Sequence, residues 1–457
     1  MVALSERKIA LVRSLVAAAP DKVVGGLQAA LADHMGDSPL SGVRRLVEAE
    51  AAERRLRNMV LMPIVPLCVG NGGDRQGLNF PAITLGYLWK GLKAVDPDGV
   101  RAASAALYDY RPGESSTAPF DELLRRAADA VRGGEPREFF LVRTLCEQSR
   151  PGAGAAFQMC LDLAPVVRRA AYRLAEWTAH FGDDTTAGAR LAYRDACAVA
   201  DDAGPTFFEM LAAHLPHPWM VLRIISAVMD KPNERYLSQS ELGGFAERVM
   251  DDIDVALRGI QHINVDGGEA AAREAAAQVE RVTLQVAEIE SCITIQRDAG
   301  WGQRLFKQKN ALAAVVEGRI REAEKYAALA LPMQPARLRR IRRMIPRHTL
   351  PPDPRYVSRA LTLFHFVREI RSSANYGGFA SARSRMLEKV GDMLDHYVEE
   401  TLDLLKHRDC ENEEIARQHL AVVVEFSRLV RDDKAADLVR RRAAAVDAYQ
   451  PPMAAGG

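Results

Sequence analysis

Seven arginines lie within one stretch of twenty residues, 336–355, which reads "ARLRRIRRMIPRHTLPPDPR". The stretch holds one carboxylate, Asp353, in a chain of 457 residues whose formal net charge is +1. Guanidinium groups bind carboxylates and phosphates through paired, charge-assisted hydrogen bonds. A cluster of this kind therefore suits an acidic partner or a phosphate-bearing polymer. The candidate binding residues are Arg337, Arg339, Arg340, Arg342, Arg343 and Arg347.

The local pattern of this stretch predicts a short basic helix. Leu338, Ile341 and Ile345 lie at positions i, i+3 and i+7, which places them on one helical face. Prolines at 335 and 346 bracket the segment, and the arginines occupy the rest of the circumference. We interpret it as a basic amphipathic helix that packs through its apolar stripe.

Three interpretations of the arginines remain open from the sequence. In the first they pair inside the fold with acidic faces such as Asp251, Asp252 and Asp254. In the second they bind an acidic partner protein or a neighbouring subunit. In the third they bind phosphate on nucleic acid or an anionic membrane surface. The segment lacks aromatic residues that would stack on bases, and its three apolar residues bury too little to hold a membrane.

Charge is distributed unevenly around this segment, and the distribution favours internal pairing. Residues 241–300 contain twelve Asp and Glu against five Lys and Arg, a balance of −7. Residues 301–355 contain thirteen Lys and Arg against four Asp and Glu, a balance of +9. Adjacent blocks of opposite sign are expected to lie side by side in the folded chain.

A glycine-rich stretch, "VGNGGDRQGLNFP" at 69–81, is the first candidate for an unrecognised enzymatic site. It follows an apolar run and precedes a helical pattern, which is the order of a phosphate-binding loop. The Lys-Ser/Thr ending of that motif is missing, and two prolines interrupt the apolar run. We interpret the stretch as a long irregular crossover, a type of loop that often has a function.

Histidines and cysteines supply the remaining candidates. His214 and His217 lie three residues apart, but intervening prolines disturb the helical register that would bring metal ligands onto one face. Cys410 lies in the polar turn "HRDCENEE" and has no base beside it in the sequence. The six cysteines are widely spaced and contain no CxxC pair, which predicts reduced thiols and no zinc signature. We therefore assign no metal site, no cofactor and no catalytic residue.

Composition bounds the class of protein. The chain is 48% hydrophobic and 26% charged, which is typical of a folded globular protein. Repeated Ala and Arg blocks indicate a GC-rich, bacterial coding bias. The N-terminal stretch is interrupted by charges and does not match a signal peptide, and the longest charge-free run, 58–73, is too short to span a bilayer. We predict a cytoplasmic protein without a transmembrane segment.

Helical periodicity extends over nearly the whole chain and predicts an all-α fold. Two long apolar stripes, starting at Val279 and at Leu312, repeat at spacings of three and four. Because only a short turn separates them, we predict a central long antiparallel helical hairpin. The predicted parts of the chain are a helical region at 1–233 with an irregular loop at 63–81, the hairpin at 234–332, a Pro/Arg-rich connector at 333–354, a C-terminal helical bundle at 355–449 and a frayed tail at 450–457. Solenoid-like stacking is an alternative for the C-terminal bundle.

No convergent set of catalytic residue types is visible in the sequence, and helical faces are abundant. These two features favour a non-enzymatic scaffold or regulatory adaptor that binds a protein partner or a second copy of itself. The first alternative is a nucleic-acid-associated factor that uses residues 337–347. The second alternative is an all-α enzyme with a site near residues 69–81 or near His214 and His217.

Overall fold

The computed structural model describes residues 6–32, 39–70, 77–296, 300–338 and 341–447. The model is 77% helical and has one small two-stranded sheet, so the all-α prediction is confirmed. No helix in these ranges combines the length and the apolar character needed to cross a membrane. The chain divides into two compact units, the first ending at Lys231 and the second beginning at Pro232.

The first unit is built from α-helices and two short 3₁₀ turns, Val65–Leu67 and Pro218–Met220. Its described helices are α1 Glu6–Ala18, α2 Asp21–Leu31, α3 Pro39–Val60, α4 Ile83–Val95, α5 Pro97–Tyr108, α6 Ala118–Gly133, α7 Arg137–Ser149, α8 Ala153–Ala171, α9 Leu174–Ala179, α10 Asp183–Cys197, α11 Ala203–His214 and α12 Val221–Met229.

Local sequence signals set many of these helix ends. Pro97 occupies the first position of α5, and the Asp96 side chain accepts a hydrogen bond from the Gly99 N–H at 2.8 Å. Gly134 follows α6 with a left-handed φ of 73°, and its N–H donates to the Ala130 carbonyl at 2.8 Å. These signals act over a few residues, so they can be read from the sequence.

Helix α8 forms the centre of the first unit, where it packs against α6, α7, α10 and α11. It carries a fully buried arginine, Arg168. The Arg168 Nε donates to Asp121 Oδ1 at 2.8 Å. Its Nη1 and Nη2 donate to the carbonyls of Met59 and Val60 at 2.6 and 2.5 Å. Because α3 ends at Val60, the guanidinium satisfies two of the carbonyls that a helix C-terminus leaves without partners.

The second unit contains eight described helices and a β-hairpin. The helices are α13 Glu234–Ser238, α14 Gly243–Gln261, α15 Gly268–Cys292, α16 Gly300–Ala330, α17 Pro354–Glu369, α18 Ala380–His407, α19 Glu413–Val430 and α20 Asp433–Asp447. The hairpin strands are β1 Met333–Leu338 and β2 Ile341–Pro346, which pair antiparallel.

The two long helices α15 and α16 have the buried stripes that the sequence predicts, but the stripes face other helices. Helix α14 packs against both of them, α17 packs against both of them, and α15 and α16 touch over only a few residues. They therefore lie on a diagonal of a four-helix arrangement, and the expected seam between two hairpin arms is replaced by contacts with α14 and α17. Apolar spacing determines that a face is buried, and it leaves the partner of that face undetermined.

Helices α16 and α17 also form one side of a second four-helix group, which α18 and α19 complete. Helix α20 packs on α19 and α18. The two groups share the α16–α17 pair, so these helices form a continuous array of two rows, which we call the helical layer, with the β-hairpin lying against α18.

The oppositely charged blocks pair with each other, as the sequence predicts. Arg304 on α16 binds Asp251 at 2.6 Å and also binds Asp254, both on α14. Lys309 on α16 lies 2.8 Å from Glu290 on α15. Salt bridges therefore connect the basic block to the acidic block along the sides of the helical layer.

The N-terminus of α16 is capped by a carboxylate from a distant part of the chain. The buried side chain of Glu234 accepts hydrogen bonds from the Trp301 N–H at 2.5 Å and from the Gln296 N–H at 3.3 Å. A carboxylate at this position satisfies backbone donors and interacts favourably with the positive end of the helix dipole. The cap connects Gln296 and the start of α16 to the start of α13.

Candidate functional site

The arginine segment forms a β-hairpin, so the predicted basic helix at 336–345 is wrong. Arg337 lies in β1 and Arg342 and Arg343 lie in β2, whereas Arg339 and Arg340 lie outside the described residues. Ten residues between two prolines make a helix of marginal length, and arginines three and four apart on one helix repel each other. The isoleucines and the edge position of the prolines suit a two-stranded ribbon instead.

One arginine fastens the hairpin to the helical layer. The Arg343 Nε and Nη2 donate to Glu400 Oε1 on α18 at 2.9 and 2.7 Å, and Asp403 lies 3.7 Å away. Glu400 is almost fully buried, and its hydrogen bonds raise the pKa of Arg343 above the ordinary value. The charge of Arg343 is therefore neutralised within the fold by Glu400, which is not one of the acids that the sequence suggested.

The expected internal partners of the segment are bound elsewhere. Asp251 and Asp254 bind Arg304, and Asp252 binds Arg281 at 2.6 Å. These carboxylates belong to the salt bridges between helices of the layer. Of the described arginine side chains in the segment, Arg343 binds Glu400 and not these acids, and for the others internal pairing stays a prediction.

Strand register divides the hairpin into two faces. In an antiparallel pair, directly opposite residues share a face and successive residues alternate between faces. Arg337 is opposite Arg342, and Pro335 is opposite Met344. Arg343 contacts α18, whereas the neighbouring Met344 is 47% exposed. The register positions of Arg337 and Arg342 therefore lie on the same face of the ribbon as that of Met344, opposite to the face of Arg343. Arg347, just beyond β2, is exposed.

The chain that leaves β2 carries a histidine into the interior of the second unit. His348 is 2% exposed, and its ring lies 6.1 Å from the ring of Tyr397 on α18 and 5.6 Å from that of His419 on α19. The rings of Tyr397 and His419 are also 6.1 Å apart. Three polar aromatic side chains from separate parts of the chain thus form one buried group, which we call the histidine–tyrosine group.

A cysteine completes the surroundings of this group. The Cys410 Sγ, in the turn between α18 and α19, lies 3.4 Å from His348 Nδ1. The sequence places no base beside Cys410, yet the fold brings one from 62 residues away. Burial lowers the pKa of His348 to about 4 and raises the pKa of Cys410. The pair is therefore a neutral thiol beside a neutral imidazole, whereas cysteine nucleophiles act as thiolates.

Sequence reasoning missed this group because its members are far apart in the chain. The available signal was a polar aromatic residue inside an apolar stripe. His419 lies among the buried positions Ala416, Leu420 and Val423 of α19. A buried polar side chain on such a stripe requires a partner or a function, and the partner becomes visible only when the helices are packed.

The other sequence candidates do not converge on a site in the structure. His214 Nε2 lies 3.3 Å from the Pro63 carbonyl, whereas His217 stacks on Trp219. Residues 69–70 and 80–82 close the glycine-rich stretch through backbone hydrogen bonds, and residues 71–76 lie outside the described part of the chain. Within the described ranges, no group of three or more His, Cys, Asp or Glu side chains could hold a metal ion.

The fold and these contacts define a class: an all-α protein of two helical units, the second of which carries an arginine-rich β-hairpin. Comparisons with models of protein families, with curated proteins and with solved structures found no match.

Proposed function

We propose that this protein is a non-enzymatic helical scaffold or regulatory adaptor, and that its arginine hairpin (residues 333–346) binds an acidic protein partner. The observation that carries the proposal is the division of the hairpin into two faces. One face is fastened to α18 through Arg343 and Glu400, and the other carries the register pair Arg337–Arg342 together with exposed Met344.

Electrostatics support an anionic partner for the outer face. Like charges directly opposite each other destabilise a strand pair. Register positions 337 and 342 are opposite each other and both hold arginine, so binding of a carboxylate-rich partner surface would offset their repulsion. Arginine and methionine are also enriched in the centres of protein interfaces. The combination supports a protein partner over a purely electrostatic contact.

The neutral state of the Cys410–His348 pair supports a non-enzymatic role. Burial raises the pKa of the thiol and lowers that of the imidazole, which is the opposite of what activates a cysteine nucleophile. The long helical layer of the second unit instead provides extended faces of the kind that scaffold proteins use.

Nucleic acid is the second candidate partner, and the shape of the hairpin favours it specifically. The major groove of DNA admits a two-stranded β-ribbon, and arginine is the commonest side chain that reads guanine there. The hairpin is such a ribbon, with arginines near its tip. A binding experiment distinguishes the two partners.

We expect Arg337→Gln/Arg342→Gln to weaken binding of the full chain to polyglutamate roughly tenfold, because two charge contacts are lost. Binding is measured by fluorescence anisotropy at low salt with labelled polyglutamate and, in parallel, with a labelled DNA duplex. The matched control is Arg101→Gln/Arg125→Gln, which removes the same charge from exposed positions on α5 and α6 of the first unit.

The control variant is expected to bind polyglutamate as tightly as the parent. Binding of DNA but not of polyglutamate, with the same loss in Arg337→Gln/Arg342→Gln, would favour the nucleic-acid alternative. Absence of binding to both probes at low salt, or an equal loss in the control, would reject the hairpin as the binding element.

A further inference from the structure

The histidine–tyrosine group contains three buried polar atoms that have no hydrogen-bond partner among the described residues. They are Nε2 of His348, Nε2 of His419 and the hydroxyl oxygen of Tyr397. The three side chains are at most 2% exposed, and their ring centroids are 5.6 to 6.1 Å apart. Buried polar atoms almost always have partners, so three of them in one group point to a bound species.

We infer that His348, His419 and Tyr397 form a binding site for one divalent transition-metal ion, with the two imidazole nitrogens as its main ligands. This inference concerns the interior of the second unit and does not depend on the partner proposed for the hairpin.

Hydrogen bonds at the other ring nitrogens indicate which tautomers are present. His419 Nδ1 lies 3.0 Å from the Ile415 carbonyl, which only accepts, so this nitrogen donates and Nε2 keeps its lone pair. The Cys410 thiol donates to the Asn412 carbonyl at 3.5 Å, which leaves its sulfur to accept from His348 Nδ1. His348 Nε2 then also keeps its lone pair. Metal-binding histidines commonly have this arrangement, in which the second nitrogen donates to a fixed acceptor.

The spacing of the rings fits a shared ion. Imidazoles that bind one metal through Nε2 at about 2.1 Å, with a tetrahedral or trigonal angle, have centroids roughly 5 to 6 Å apart. The separation of His348 and His419 is 5.6 Å. A phenol oxygen at a similar bond length places its ring slightly farther away, at about 6 Å, and Tyr397 lies 6.1 Å from each imidazole.

The donor atoms of the group limit the identity of the ion. Imidazole nitrogen with oxygen suits zinc, copper and nickel, whereas calcium and magnesium prefer sets of oxygen ligands. The Cys410 sulfur lies beside Nδ1 of His348, whereas Nε2 is the nitrogen assigned to the ion, so the sulfur contacts the histidine and is not itself a ligand.

A bound ion would connect three parts of the second unit. His348 follows the arginine hairpin by two residues, Tyr397 belongs to α18 and His419 belongs to α19. Coordination would hold the connector between β2 and α17 against the two helices and so stabilise the docked position of the hairpin. Metal binding by residues that are distant in sequence contributes directly to the stability of the folded chain.

The test uses the full chain, stripped with a chelator and titrated with Zn²⁺ at pH 7.5, with metal content measured after gel filtration. We expect one Zn²⁺ per chain and a rise of several degrees in the unfolding temperature. His348→Gln/His419→Gln is expected to abolish both effects, and Tyr397→Phe is expected to weaken binding about tenfold.

The matched control is His396→Gln/His407→Gln, which removes two exposed histidines that lie near carboxylates on α18. This variant is expected to keep the full stoichiometry. Loss of Zn²⁺ in the control, or no stoichiometric binding by the parent, would overturn the inference.

X-ray absorption of the parent loaded with Zn²⁺ provides a readout that needs no variant. We expect nitrogen and oxygen scatterers at about 2.0 to 2.1 Å with the outer-shell pattern of two imidazoles. A sulfur scatterer at about 2.3 Å would place Cys410 among the ligands and would contradict the assigned set.

Discussion

Replacing Arg168 with methionine is expected to lower the free energy of unfolding of the first unit by roughly 3 to 5 kcal/mol, the usual cost of removing one partner from a buried ion pair. Methionine fills a similar volume but donates no hydrogen bond. Asp121 would then be a buried carboxylate without its cation, and the carbonyls of Met59 and Val60 at the end of α3 would lose their donors. The effect is large because one side chain donates hydrogen bonds to a buried carboxylate and to two backbone carbonyls.

The measurement is urea unfolding followed by tryptophan fluorescence in a Trp301→Phe background, in which the remaining tryptophans, at 89, 177 and 219, all lie in the first unit. The matched control is Arg169→Met, the next residue on α8, whose half-exposed side chain binds Asp195 at the surface. The control should change stability by less than about 1 kcal/mol. Equal losses in the two variants would contradict the role assigned to Arg168.

The double variant Arg168→Met/Asp121→Leu separates the two parts of this effect. It removes both charges, and replacing a whole buried ion pair with apolar residues is often close to neutral. We expect stability to recover in part but not completely, because the Val60 carbonyl still lacks the donor that Arg168 supplied, whereas the Met59 carbonyl keeps the Met62 N–H at 3.4 Å. Complete recovery would indicate that the ion pair is the source of the whole effect.

Replacing Glu234 with alanine is expected to destabilise the second unit by about 1 to 3 kcal/mol, the cost of leaving buried hydrogen-bond donors without acceptors. The carboxylate accepts from the Trp301 N–H at the start of the 31-residue helix α16 and from the Gln296 N–H before that helix. Its loss also removes a favourable charge from the positive end of the helix dipole.

Hydrogen exchange followed by mass spectrometry measures this effect in α16 itself. Amide protection in peptides from α16 should fall roughly ten- to hundredfold in Glu234→Ala, as the loss in free energy requires. Glu247→Ala, an exposed glutamate on α14, is the control and should leave protection unchanged within about twofold. A loss of protection spread equally over both units would indicate general destabilisation and not the loss of a cap.

The sequence predicts the all-α class and the buried stripes of the two long helices, and the all-α class is confirmed. The predicted stripes on α15 and α16 are buried, with Val282 and Val316 fully enclosed. Periodicity, capping residues and prolines act over a few residues, so this level of structure is readable without the fold.

The local pattern predicts the wrong secondary structure for the arginine segment. Leu338, Ile341 and Ile345 have helical spacing, yet the segment pairs as β1 and β2. Ten residues carry too little intrinsic preference to decide between a helix and a hairpin, and contacts with α18, including the salt bridge from Arg343 to Glu400, stabilise the hairpin. The sequence identified the segment as a candidate binding element, but its shape and its outer face depend on those contacts.

The sequence by itself therefore determined the all-α class and which faces of the long helices are buried, because these follow from spacings of a few residues. Tertiary structure decided which faces meet, so that α15 and α16 lie on a diagonal and do not form a two-helix seam. It also decided the long-range polar contacts: Arg168 at the end of α3, Glu234 at the start of α16, and His348 beside Cys410, Tyr397 and His419. Such contacts join residues tens of positions apart, and no local pattern encodes the packing that brings them together.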